Sequence, residues 1–234
     1  MKNRAVAGSL IGLMILSAVL SGCKKDRHEK VDTFGNTTEG IYVYADNCVQ
    51  DVIFSDFDMT RYDAEEFRTF LQEEIDEYNA SHDFVRQEPV YDEDGNVVSE
   101  PRCEEPIKVV ECSAENDELQ VQLLYATAGD YLQYMADEVE KRGGNTLQSG
   151  QLLYADASVT GASFIDTDGE ALDLNEIITG KHAEEYRFVI CNFEAVLYSE
   201  GEVAGYTAAG TYNADGECVS VPAGETVIVL YRDR

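Results

Sequence analysis

Apolar and polar positions divide this chain into an uncharged head, a polar stretch and a long region of strand and helix signals. Ala5 to Gly22 carries no charge, and Lys24 to Thr38 mixes charges with Gly, Asn and Thr without any apolar period, as a flexible tether would. From Gly40 onward the pattern is that of a folded domain. Ile41 to Ala45 and Val49 to Phe54 are β-rich runs on either side of Asp46-Asn47, a hairpin signal. Asp63-Ala64-Glu65-Glu66 then opens a helix, with Asp63 as N-cap and Glu66 at the capping-box position. Phe67, Phe70, Leu71, Ile75 and Tyr78 follow at helical spacing, which places this aromatic stripe in the core.

Residues 81 to 106 form a polar connection with a turn at Asp92-Glu93-Asp94-Gly95-Asn96. Two strands come next, Ile107 to Ser113 and Leu119 to Ala126. In the second, Leu119, Val121, Leu123 and Tyr125 alternate with Gln120 and Gln122, which predicts glutamines turned to solvent on a half-buried strand. Thr127 caps a second helix carrying Tyr131, Leu132, Met135 and Val139, and Gly143-Gly144 stops it. Beyond Gln151 the chain reads mostly as strands. Tyr186 to Tyr198 is one long strand or two joined at Asn192, and Thr226 to Tyr231 is the last. No strand-helix-strand rhythm repeats. The expected fold class is α+β, a mostly antiparallel sheet with two main helices packed on one face. It occupies a single domain over residues 40–234, with a subdivision near 150 as the alternative.

The head is more specific. Lys2 and Arg4 precede the apolar run, which ends in Leu20-Ser21-Gly22-Cys23 and is followed at once by Lys24-Lys25-Asp26. A basic start, an apolar centre and small residues before a cut are the parts of a secretory signal. A transmembrane helix is the rival, because the run is near the minimum for a span. Six Gly and Ser residues dilute it, and a simple anchor has no use for a cysteine at its outer end. Leu20-Ser21-Gly22-Cys23 resembles the lipobox of bacterial lipoproteins. That resemblance implies that the Cys23 thiol receives a diacylglyceryl group and that the chain is cut just before it. Residues 1–22 would then be a signal peptide and 23–39 a lipid-anchored tether, with the domain on the extracytoplasmic face of the cell membrane. Two acyl chains give stable attachment where one does not.

Charge narrows the partners. Without residues 1–22 the 17 cations lose Lys2 and Arg4, leaving 15 against 46 acids. Such an excess excludes nucleic acid, which needs a cationic surface. It also keeps the folded part off an anionic membrane. The lipobox resemblance implies that the membrane is reached through the lipid on Cys23, and the other partner is expected to be an envelope protein or a small ligand. Five further cysteines, Cys48, Cys103, Cys112, Cys191 and Cys218, are an odd number that cannot all pair. Cys112 and Cys191 sit in apolar runs as small hydrophobes, whereas Cys103, between Pro101 and Pro106, is expected at the surface.

Candidate chemistry is sparse. Asp94-Gly95, Asp168-Gly169 and Asp215-Gly216 invite a calcium reading, but an EF-hand loop needs acids at fixed offsets from its glycine. Counting from Gly169 puts Phe164 first and Asn175 twelfth, and the other two glycines fail in the same way. Glycine after Asp is what a tight hairpin needs for positive φ. No Gly-x-Ser-x-Gly elbow, Cys-x-x-Cys pair or phosphate loop occurs, and His28, His82 and His182 stand isolated. No catalytic, cofactor-binding or metal-ligating residue is therefore assigned, and a binding or envelope-assembly component is expected rather than an enzyme. A transporter's solute receptor and a carboxylate-dependent hydrolase are the rivals. Ile41 to Phe54, Asp63 to Asn79 and Val121 to Tyr134 are similar to segments of uncharacterised lipoproteins of anaerobic Gram-positive bacteria. That likeness implies no activity.

Overall fold

The computed structural model describes residues 38–84 and 102–233, with the backbone of 90–91 and 97–99 between them. In chain order the elements begin with β1 (Gly40–Val43), β2 (Val49–Asp56), α1 (Ala64–Ser81), β3 (Val90–Tyr91), β4 (Val97–Ser99), β5 (Ile107–Glu115) and β6 (Glu118–Tyr125). Next come α2 (Ala128–Tyr134), α3 (Ala136–Lys141), β7 (Leu147–Gln151), α4 (Ala157–Thr160), β8 (Phe164–Ile165), β9 (Ala171–Leu172) and α5 (Leu174–Ile178). The series closes with β10 (Tyr186–Cys191), β11 (Ala195–Ser199), β12 (Glu202–Thr207), β13 (Thr211–Asn213), β14 (Cys218–Val221) and β15 (Val227–Arg232). The architecture is mixed helix and sheet, and the pairing is mostly antiparallel. The folded chain forms two compact units, one containing Gln50–Ala126 and the other Gly40–Val49 with Thr127–Arg234.

In the first unit the strand order is β2-β6-β5. β5 and β6 form an antiparallel hairpin whose two turn residues, Asn116 and Asp117, have φ of 55° and 60°. Left-handed residues at both central positions match the twist of the strands, and Asn and Asp tolerate that region better than most. Val109, Cys112 and Ala114 pair in register with Leu123, Val121 and Leu119, and α1 packs on β5. The helix starts as its sequence predicts. The Asp63 carboxylate accepts from the backbone N–H of Glu65 (2.8 Å) and Glu66 (3.1 Å). Near its other end, Asn79 is locked to the start of β5. Its side chain donates to the Ile107 carbonyl (2.8 Å) and accepts from the Ile107 N–H (3.0 Å), satisfying both backbone groups of one strand residue.

Two expectations fail in this unit. Gln122 does not face solvent: it is 3% exposed, and its side-chain oxygen accepts from Gln50 Nε2 at 2.9 Å. Leu124, on the same side of the strand, is buried too. β6 lies between two other strands and is covered on both faces, so alternation marked a chemical difference between faces and not a difference in burial. A glutamine enters such a place when its amide is paired. The aromatic stripe of α1 also divides. Leu71 and Ile75 are fully buried, but Phe70 is 40% exposed.

The second unit has two sets of strands. In one, ordered β13-β14-β11-β1, β1 runs parallel to β11 with Ile41 opposite Leu197. The other is six-stranded, β7-β10-β15-β12-β8-β9, and its inner strand β15 has five of six residues buried. Ile228 and Leu230 of β15 join Leu152, Val159, Phe164, Leu174 and Ile190 in one core. Val227 and Val229 point the other way, and a Cβ on Gly210 would lie 2.9 Å from Val227 and 3.0 Å from Val219 of β14. Glycine there lets the two sets of strands close on each other.

The run from Tyr186 to Tyr198 resolves into two strands, β10 and β11, with Asn192 at the break. Asn192 Oδ1 accepts from the N–H of Asn145 (2.8 Å) and Thr146 (2.7 Å), and a Cβ on Gly144 would lie 2.3 Å from the Asn192 carbonyl. Of the predicted turns, Asp168-Gly169 behaves as expected, with Gly169 at φ 86°. At Asp215-Gly216 the positive φ belongs to Glu217 (49°), and the glycine instead makes room for the Cys218 thiol, 3.1 Å from where its Cβ would stand. Asp94-Gly95 lies outside the described residues. The helix expected from Thr127 breaks at Met135, whose ψ of 17° ends α2 and begins α3.

The two faces of β6 make different predictions. Leu123→Ala should cost about 2–5 kcal/mol by leaving a cavity. Gln122→Ala should cost about 1–3 kcal/mol by taking a partner from the buried Gln50 amide. Urea unfolding of both variants checks this, and a neutral Gln122→Ala would contradict the paired-amide account.

Candidate functional site

Cys23, the one residue to which the sequence assigns a chemical role, lies outside the described residues, as does His28. The other two histidines hold local structure. His82 follows α1, stacks on Tyr78 (centroids 3.8 Å apart), and its Nδ1 lies 2.7 Å from the Tyr78 carbonyl. His182 Nδ1 lies 2.6 Å from Glu185, whose other carboxylate oxygen takes Arg232 at 2.6 Å. Arg232 first and His182 second hold the Glu185 carboxyl below its usual range. Beside this chain of charges Arg187 pairs with Asp233 at 2.9 Å. These contacts tie the end of β15 to the segment leading into β10, which is an anchoring role.

The five cysteines after Cys23 form no disulfide among the described residues, and all are buried. Cys103, expected at the surface, is 5% exposed. A proline-flanked polar sequence looked like an exposed loop, yet the short thiol packs as a hydrophobe. Burial pushes the Cys191 thiol up to about 12 and that of Cys112 up to about 11. A nucleophilic cysteine needs the opposite shift. Among the described residues no group of three or more His, Cys, Asp or Glu side chains is arranged to hold a metal ion.

What remains is a surface at one end of the first unit. Past β2 the chain turns through Phe57, Asp58 and Met59 to the start of α1. Phe57 is buried, and its ring meets Tyr62 at 5.9 Å and Phe67 edge-on at 6.0 Å. The turn is pinned from the β5–β6 hairpin: the Phe57 N–H donates to the Asp117 carbonyl (2.8 Å), and the Met59 N–H donates to the Asp117 carboxylate (3.3 Å). Along this turn and the start of α1, Met59, Tyr62 and Phe70 are 47%, 51% and 40% exposed. Asp58, Asp63, Glu65 and Glu66 are interspersed along the same segment with Arg61 and Arg68, and the Asp117 carboxylate reaches it from the hairpin. Arg61 is held by Asp58 at 3.1 Å. Further along α1, burial first and neighbouring Glu77 second raise the pKa of Glu74.

No family model matches the chain, and comparison with curated proteins and with solved structures finds no match either. Sequence reasoning took the α1 stripe as wholly internal and so missed this surface. The available signal was the width of the stripe. At 3.6 residues per turn the stripe spans about 140° with Phe70 at one edge, and Met59 and Tyr62 stand in a polar loop just before it.

The thiols give a second prediction. In the native protein Cys48, Cys103, Cys112, Cys191 and Cys218 should resist a soluble disulfide reagent at neutral pH and react on unfolding. Because the folded pKa of Cys191 stands near 12 against an ordinary 9.0, burial costs no stability below that ordinary value. Stability should then fall as pH climbs toward 12, since the unfolded chain loses its proton first. A thiol titration of native protein in which several of these groups react at once would contradict the buried assignment.

Proposed function

We propose that the chain is a lipid-anchored protein of the extracytoplasmic face of the cell membrane and acts there as a non-enzymatic binding or envelope-assembly component. The observation that carries this is Leu20-Ser21-Gly22-Cys23, placed after an uncharged run and before a cationic tether. On this reading residues 1–22 are removed and a diacylglyceryl group on Cys23 supplies two acyl chains, enough for stable attachment. Lys24, Lys25, Arg27 and Lys30 then stand beside the head groups, while residues 39–234, with 11 cations and 43 acids, are kept away from an anionic surface. Among the described residues no helix is long and apolar enough to cross a membrane. Buried thiols and structurally engaged histidines favour binding over nucleophilic catalysis. In fold terms the proposal is an α+β protein with two main helices, each on one face of its own unit's strands. The packing of α1 on β5 supports this for the first of them.

Mass spectrometry of the native protein tests the anchor. The expected N-terminus is Cys23 carrying a diacylglyceryl mass, and Cys23→Ala should leave an uncut, unlipidated chain. Cleavage at any other bond, or an unmodified Cys23, refutes the proposal.

A further inference from the structure

We propose that Met59, Tyr62 and Phe70, exposed where the turn holding Phe57 leads into α1, form a docking surface for a cationic amphipathic segment of a partner protein. This rests on the reading of the chain as a binding component and names the kind of partner. Among the described residues five large apolar side chains are exposed, and three of them fall between positions 59 and 70. Single exposed apolar residues are ordinary; a cluster rimmed by polar groups marks an interaction site. The backing is rigid, because Phe57 is buried and the turn is pinned by two bonds from Asp117. Aromatic and Met side chains on a fixed support are the usual anchors of an interface.

Charge selects the occupant. Asp58, Asp63, Glu65 and Glu66 alternate with these residues along the chain and outnumber Arg61 and Arg68, the Asp117 carboxylate accepts from the Met59 N–H, and Arg61 is held by Asp58. An anionic membrane would be repelled by this rim. A second copy docking symmetrically would bring the same acids against themselves. A segment with an apolar stripe and Lys or Arg beside it satisfies both parts of the surface. Its apolar residues cover Met59, Tyr62 and Phe70 while its cations meet the carboxylates. The rim mainly speeds encounter, and the apolar anchors govern how long the complex lasts.

The test uses the full chain and a fluorescent synthetic helix of about 18 residues, five turns, with leucine on one face and lysine on the other. A peptide of the same composition scrambled to remove the apolar face serves as control, with a second in which glutamate replaces lysine. Fluorescence anisotropy should show the amphipathic lysine peptide binding at least about tenfold more tightly than either control. Tyr62→Ser with Phe70→Ser should weaken it by about tenfold, whereas Leu153→Ser with Tyr154→Ser, exposed in the second unit, should change it less than about twofold. If the Tyr62/Phe70 variant fails to fold, Met59→Lys replaces it, being a change at a half-exposed loop position. Equal binding of the scrambled peptide, or binding unchanged in the variants, would overturn the proposal by showing only general attraction to an acidic protein. So would binding to phosphatidylglycerol vesicles, or self-association in sedimentation, that the same substitutions abolish. A chain lipidated at Cys23 that fails this test loses the docking surface and keeps the anchored reading. An unlipidated chain loses the anchored reading whatever the peptide does.

Discussion

Carboxylates outnumber cations by 46 to 17, and their mutual repulsion is the term that every other feature of the fold must offset. An acidic chain can still fold if its charges stay hydrated and its apolar residues close over one another. Among the described residues only Asp51 and Glu138 are buried acids, and Glu138 has Lys141 beside it. The cations are placed where they count. Arg232 and Arg187 secure the last strand, and Arg61 secures the turn before α1. Exposed pairs of this kind are each worth little. The stabilising weight therefore falls on the apolar core.

That core is built in each unit around a strand covered on both sides. β15 is inner in its sheet and sends Ile228 and Leu230 to one face, Val227 and Val229 to the other. β6 is inner in its own set and buries Leu123 on one face and Leu124 on the other. Burial on two faces extracts more from each residue than a half-covered strand does. It also explains a polar pair inside, Gln50 with Gln122, which is tolerated because the Gln50 amide N–H donates to the Gln122 oxygen.

The elements were more legible in the sequence than their surroundings. The Asp63 cap, the turn at Gly169 and the break at Asn192 follow from local chemistry, and local chemistry is written in adjacent residues. Burial on the second face of β6 is a property of its neighbours in the sheet, so Gln122 was assigned to the wrong environment. Cys103 misled for a similar reason: its neighbours in sequence are polar, while its neighbours in space are not. The parallel pairing of β1 with β11 joins residues more than 150 positions apart, beyond any periodicity. Of the exposed residues at the candidate surface, the sequence pattern picks out only Phe70, and places it in the core. Only the fold distinguishes Phe70, left outside, from Leu71 and Ile75, taken in.

The fold therefore stands beneath an acidic surface. All of this depends on repulsion at the surface being outweighed by burial within. Urea unfolding of the protein at neutral pH, followed from about 0.02 to 0.5 M sodium chloride, examines that balance most directly. Screening should raise the midpoint steadily across the range while the denaturant slope stays constant, because salt relieves repulsion without changing the surface exposed. A midpoint that stays flat or falls with salt would mean that the acids do not oppose folding, and the account would be wrong at its foundation.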